Sequence, residues 1–198
     1  MTHMRTFKPM DAPGVYRLGI QTAMQGRIIE DSFNNQDLYG HVFVGPYIFH
    51  DPTHTVVAVD EYGINGYMAV SQHVGKMEAW AHRNWWPLLQ DQYPERALNY
   101  TPFEQNLVHM IHHPVLTPRD IIENYPVKVD IRVGERLDHE DSIEQLLTTF
   151  MDQQWSRGVL GIHTDIPAND QQSKKIFVDA GFVEDQDISS HIRMVRSL

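Results

Sequence analysis

Twelve histidines and no cysteine set the chemistry open to this chain. Without thiols there is no disulfide, no thiolate metal centre and no cysteine nucleophile, so acid–base and ligand roles fall to imidazoles, carboxylates and hydroxyls. The densest imidazole run is His109-x-x-His112-His113. On a helix His109 stacks over His112 or His113 on one face, a spacing that can chelate zinc. Pro114 ends the helix there and the neighbouring sequence implies no carboxylate as third ligand. Packing and hydrogen bonding of the rings account for the run, and no metal is expected. His163 and Asp165 share a face if they lie on a strand, and an imidazole beside a carboxylate suits proton transfer. The competing reading is that a single strand histidine is structural. Trp85, Trp86, Tyr93 and Tyr100 offer flat faces that receive sugars or the aliphatic stems of amines. Neighbouring tryptophans cannot both face the core from one helical turn, so one anchors its segment and the other edges a cleft.

Elements must position these groups, and 198 residues suffice for one core. Hydrophobic residues at 41% and charged residues at 21% exclude general disorder. A net charge of −10 repels phosphate backbones and anionic headgroups, which argues against nucleic-acid and membrane partners. No apolar run approaches the roughly 20 residues of a membrane helix, and Met-Thr-His-Met-Arg leads into no apolar segment. A cytoplasmic protein is expected.

Arg5–Lys8 reads as a strand, and Asp11-Ala12-Pro13 opens a helix that runs to about Gln25, with Gly26 as its stop. Gly40–Asp51 is apolar without periodicity and reads as a buried loop with strand ends. Thr55–Asp60 and Ile64–Gln72 form a hairpin around Glu61-Tyr62-Gly63. Residues 73–125 change texture to Trp, Tyr, His and Pro, with helix starts at Thr101-Pro102-Phe103-Glu104 and Thr117-Pro118-Arg119-Asp120. They read as an insertion of two or three short helices. Strand Val127–Val133, helix Ser142–Gln154, strand Val159–Thr164, helix Asp170–Asp179 and a last strand near Ile188–Val195 follow. Short connections make the first two of these strands parallel neighbours. The expectation is one α/β domain over 1–198, a mixed sheet with helices on both faces and a helical insertion over about 73–125.

That order resembles the GNAT superfamily of N-acetyltransferases, and Ser173–Phe182 is similar to the family's late helix ending in a Gly-Phe pair. Arg83-Asn84-Trp85-Trp86-Pro87-Leu88, Tyr93-Pro94, Ile111-His112-His113-Pro114 and Tyr125-Pro126 leading to Asp130 resemble the acetyltransferase-like domain of O-GlcNAc hydrolases and its free-standing bacterial relatives. Gly45-Pro46-Tyr47 and Gly66-Tyr67 fit that subgroup as well.

The resemblance implies a GNAT fold with acetyl-CoA as co-substrate, lying where two parallel strands splay apart. It implies acetyl transfer to a small-molecule amine or a Lys side chain. Asp130 is then the first choice of base and His163 the second, with backbone N–H groups of the strand through Ile131, Arg132 and Val133 facing the thioester oxygen. Trp85, Trp86, Tyr93, Tyr100 and His112 would line the acceptor pocket. The stretch that should cradle the pyrophosphate, Gly134 to Ser142, departs from the glycine-rich pattern. Its one glycine comes early, and Asp138, Glu140 and Asp141 cap a helix while repelling a diphosphate. Arg136 and His139 would offset part of that repulsion. Asn169 or Asp170 would contact the cofactor, or simply cap a helix. Phe177 stands where many members carry a Tyr that protonates the departing thiolate, and it has no proton to give. The alternative is a catalytically inactive GNAT-fold protein that binds a ligand or partner through the aromatic cleft. Acceptor and oligomeric state are left open, a homodimer included.

Overall fold

The computed structural model describes residues 2–24, 33–97, 99–136, 140–188 and 191–198. The chain opens with strand β1 (His3–Thr6) and helix α1 (Ala12–Met24), then two short helices, α2 (Asp37–Phe43) and α3 (Gly45–His50). Next come β2 (Val56–Asp60), β3 (Gly63–Ser71) and four helices, α4 (Val74–Asn84), α5 (Trp86–Gln92), α6 (Pro102–His112) and α7 (Arg119–Asn124). The remainder alternates: β4 (Val127–Val133), α8 (Glu140–Ser156), β5 (Gly161–Pro167), α9 (Gln171–Asp179), β6 (Val183–Ile188) and β7 (His191–Ser197).

The described strands form one sheet in the order β1-β2-β3-β4-β5-β7-β6. Every pairing is antiparallel except β4 with β5. Alternation along the strands divides the core. One face sends Met68, Val70, Val129, Ile131, Ile162 and Met194 against Leu147, Phe150 and Met151 of α8 and Ile176 and Phe177 of α9. The other sends Val57, Tyr67 and Ala69 against Val15 and Leu18 of α1, Tyr47 and Ile48 of α3, and Val74 and Met77 of α4. A third cluster contains no strand residue: Ile20, Leu38, Tyr39, Val42, Leu89, Tyr93, Leu107, Val108 and Ile111 join α1, α2, α5 and α6 into a helical layer. Helix α1 lies between the sheet and this layer, its Val15 and Leu18 turned one way and Ile20 the other. Among the described residues no helix is long and apolar enough to cross a membrane.

Three expectations change. Gly40–Asp51 is helical: Pro46 occupies the first turn of α3, and Leu38, Tyr39, Val42, Tyr47 and Ile48 are all buried. Helices of seven and six residues, each mostly buried, are too short to show an amphipathic period. The insertion holds four helices rather than two or three. The single last strand is a hairpin whose first arm, Val-Glu-Asp-Gln-Asp-Ile, is an exposed acidic edge strand of residue types depleted in strands.

Candidate active site

Strand β4 alternates Val127, Val129, Ile131 and Val133 with Lys128, Asp130 and Arg132. In an ordinary antiparallel sheet the second set would face water. Here Asp130 is 8% and Arg132 5% exposed, because α1 to α4 cover that face. Register brings more polar side chains to the same face: Tyr67 lies opposite Arg132, Lys128 beside His163, and Asp165 opposite Arg193.

These groups form one ion pair, Arg132 with Asp130, and one triad, Lys128 and Arg193 on Asp165. Arg132 Nη2 is 3.2 Å from Asp130 Oδ1, and the Tyr67 hydroxyl donates to Asp130 Oδ2 at 2.8 Å. Lys128 Nζ donates to Asp165 Oδ2 at 2.6 Å and Arg193 Nε to Asp165 Oδ1 at 2.8 Å. Burial alone would lower the Arg132 pKa, but Asp130, with Tyr39, Tyr67 and Asp170, outweighs it and holds the guanidinium charged. Burial likewise opposes ionisation of Asp165, and Lys128 and Arg193 overturn that and hold it below the usual carboxylate range. Burial, reinforced by Asp130, pushes the Tyr67 and Tyr47 phenols well up, so both stay protonated donors.

His163 is sealed at 0% exposure. Burial and then Lys128 push its pKa down to about 3, so the ring is neutral at physiological pH. Its Nδ1 lies 2.7 Å from the Tyr125 carbonyl, which makes Nδ1 the protonated nitrogen. The buried Nε2 is then an acceptor without a partner among the described residues. The expected His163–Asp165 couple is not formed: they share a face, but Asp165 is taken by Lys128 and Arg193 and His163 by a backbone carbonyl.

Strands β4 and β5 pair at Val127↔Ile162 and Lys128↔His163. Beyond that, β4 keeps pairing with β3 to Val133 and β5 with β7 to Pro167, while register between β4 and β5 ends. The parallel strands therefore part, and Asp130, Ile131, Arg132 and Val133 lie along the divergent edge. Where the two strands have parted, the amides of β4 turned toward β5 have no ladder partner on that strand.

The other candidates fall elsewhere. Gly134 is used against β3: its N–H donates to the Asn65 carbonyl at 2.8 Å, and a Cβ would sit 2.2 Å from Asn65 Oδ1. Arg136 reaches back to Asp60 at 3.0 Å and lies over the Tyr62 ring. Asp138 and His139 lie outside the described residues, as do the side chains of Glu140 and Asp141. Asp170 caps α9, accepting from Ser173 N at 2.9 Å and Ser173 Oγ at 2.7 Å, with Asn169 immediately before the helix. Phe177 is 0% exposed and packs edge-on against Phe182 in the apolar core under the sheet.

The structure does not bring the aromatic group to the parting strands. Tyr93 is 4% exposed in the helical layer, its hydroxyl bonded to Asn35, Gln92 and His41. Trp85 donates to the His41 carbonyl and stacks on Phe49, Trp86 and Tyr100 pack on the rim of the same cluster, and His112 holds the Tyr93 carbonyl at 2.8 Å. Sequence reasoning missed Tyr67, Lys128 and Arg193 as members of the charged face. The signal for Lys128 was the alternation on β4 itself.

No family model matches the chain and no curated protein matches its sequence. Solved structures do resemble it over nearly its whole length. SsHAT superposes with a TM-score of 0.82 at 23% identity, covering 99% of this chain and 98% of that one. The PaiA N-acetyltransferase of Thermoplasma acidophilum, solved in complex with coenzyme A, gives 0.59 at 8% identity with 100% and 99% covered. A GNAT-family acetyltransferase of Listeria monocytogenes 4b F2365 gives 0.50 at 12% identity with 100% and 95% covered. With its mixed seven-stranded sheet, helices on both sides and β4 and β5 diverging at the centre, the chain has the fold of the GNAT acetyltransferases.

Proposed function

We propose that the protein transfers an acetyl group from acetyl-CoA to the amine of a small molecule or a Lys side chain, at the divergence of β4 and β5. The observation that carries this reading is the parting of the two strands after two paired positions, with the buried Asp130–Arg132–Tyr67 group on the edge so exposed. The fold's occurrence in a protein solved with coenzyme A is consistent with it.

In this reading the amine lone pair attacks the thioester carbon, the new N–C bond forms, the C–S bond breaks and sulfur keeps the electron pair. Strand amides of Ile131 and Val133, on the edge of β4 opposite the one whose Gly134 N–H bonds β3, face the carbonyl oxygen as negative charge develops. Asp130 takes the proton shed by nitrogen, relayed by the Tyr67 hydroxyl that donates to it. Arg132 and Tyr67 fix the carboxylate's orientation. His163, held neutral by burial with its pKa pushed down to about 3, does not remove a proton. The thiolate gains its proton from water, since Phe177 offers none.

The second reading, a fold-retaining binder without catalysis, is favoured by the buried Phe177. Calorimetric titration with acetyl-CoA and CoA, followed by release of CoA thiol with a polyamine or a lysine-containing peptide, separates the two. Saturable binding and Asp130-dependent thiol release support transfer. Binding without turnover selects the second reading, and no binding at millimolar ligand removes the transferase reading. Neutralising Asp138, Glu140 and Asp141 together should tighten CoA binding.

A further inference from the structure

At the far end of α6, in the helical layer and apart from the charged face of the sheet, three ligating side chains converge. His109 and His113 are one helical turn apart, joined by the His113 N–H donating to the His109 carbonyl at 2.8 Å. Their rings lie 4.5 Å apart. Glu95, from the connection after α5, brings Oε1 to 3.0 Å from His113 Nε2 and 3.8 Å from His109 Nδ1. One ligating atom from each residue lies within 4.8 Å of the others.

The arrangement is held in place from behind. His112 Nε2 is 2.8 Å from the Tyr93 carbonyl, and Gln90 Nε2 donates to the Ile111 carbonyl at 3.0 Å. Both bonds join the C-terminal end of α5 to the C-terminal end of α6. Tyr93 is itself buried, and Pro94 restricts the single step from it to Glu95. The carboxylate is thus delivered from an anchored backbone to the end of a helix, where unpaired carbonyls favour positive charge. All three side chains are exposed, so an ion has open access and the ligands retain room to close on it.

We infer that Glu95, His109 and His113 form a binding site for a divalent transition metal of the zinc class. Two imidazoles and one carboxylate are donors that zinc takes tetrahedrally, with a fourth position left to water, whereas calcium and magnesium take oxygen-only sets. Bound metal cross-links the connection after α5 to the end of α6, stiffening the helical layer independently of acetyl transfer.

The full chain is titrated with zinc chloride against a chromophoric chelator, and with cobalt(II) as a spectroscopic probe. One ion per chain and a tetrahedral cobalt spectrum are expected. E95Q, H109A and H113A each weaken zinc binding roughly tenfold or more, and E95Q loses the cobalt signature. H54A, which breaks a half-buried His–Asp pair elsewhere in the fold, leaves both unchanged. Thermal unfolding without metal, unchanged in E95Q, separates lost binding from lost folding. Absence of a saturable one-to-one site, or a triple variant that binds zinc like the parent, overturns the assignment.

Discussion

Glu104 in the helical layer and Asp130 on β4 are both nearly sealed from solvent, at 0% and 8% exposure, yet they are satisfied by different partners. Glu104 accepts from the backbone N–H groups of Asn34, Asn35 and Thr101 at 2.7–2.9 Å. Asp130 accepts from a phenol and a guanidinium, and Asp165 beside it from an ammonium and a second guanidinium. Backbone donors do not titrate and cannot be removed by rotating a side chain, so the first arrangement fixes geometry. Side-chain donors can change partner when a substrate arrives, so the second can serve chemistry. Such charge clusters are costly to bury and confer little net stability, which makes a buried one a pointer to function.

The sharpest way to break the contrast is Arg132→Ala, which strands Asp130 in the sheet and should cost about 3–5 kcal/mol in urea denaturation. Replacing both partners, as D130L/R132M, should cost less than the single change. A loss below about 1 kcal/mol for R132A would show that Asp130 is not neutralised by Arg132. In the helical layer Ile111→Ala, at a fully buried position, should cost about 2–4 kcal/mol by cavity formation. That loss should be equal at pH 7.5 and 5.5, since no titrating group is touched.

A third test sets the two regions against each other through pH. His163, flanked by Lys128, Asp165, Arg193 and the Tyr125 carbonyl, has a folded pKa of about 3, below the ordinary histidine value. Between those values the unfolded chain binds the extra proton, so stability is full above about 6.5 and falls with pH by up to about 1.4 kcal/mol per unit. His163→Asn should flatten that slope between pH 6.5 and 5. An unchanged slope would assign it to other histidines. Asp165, with its depressed pKa, adds stability that is lost only at more acidic pH, outside this window. The smallest effect belongs to the α6 cap, where Thr101 accepts from Glu104 N: Thr101→Ala should cost about 1 kcal/mol without altering the pH slope.

Much of the scaffold is readable from residue patterns. The hairpin around Gly63, which takes φ +114°, the capping box Thr101–Glu104 and the parallel pairing of β4 and β5 stand where local signals put them. Asp170 acts as the cap that its position suggested. The helices over 37–50 escaped because each is too short and too largely buried to show an amphipathic period, and β6 because its acidic edge looks like loop. At the site, Asp130 and His163 were named, but their partners Tyr67 and Tyr125 come from another strand and a connection, and Arg132, on the same strand as Asp130, was named only for its backbone. The aromatic residues suggested a pocket and instead built a core, since composition does not say which face of a helix meets another helix. Glu95 was invisible as a ligand for a similar reason: 14 residues separate it from His109 in sequence, and only the α5–α6 packing returns it.

The hairpin of β2 and β3, the capping box of α6, the cap of α9 and the lack of cysteines were settled by the sequence alone, because each depends on groups within a few residues of one another. Which carboxylate meets a cation, which imidazole is stripped of its proton and which aromatics are sealed were decided by tertiary structure. Those outcomes depend on burial and cross-strand register, and both arise only when distant segments share one desolvated interior.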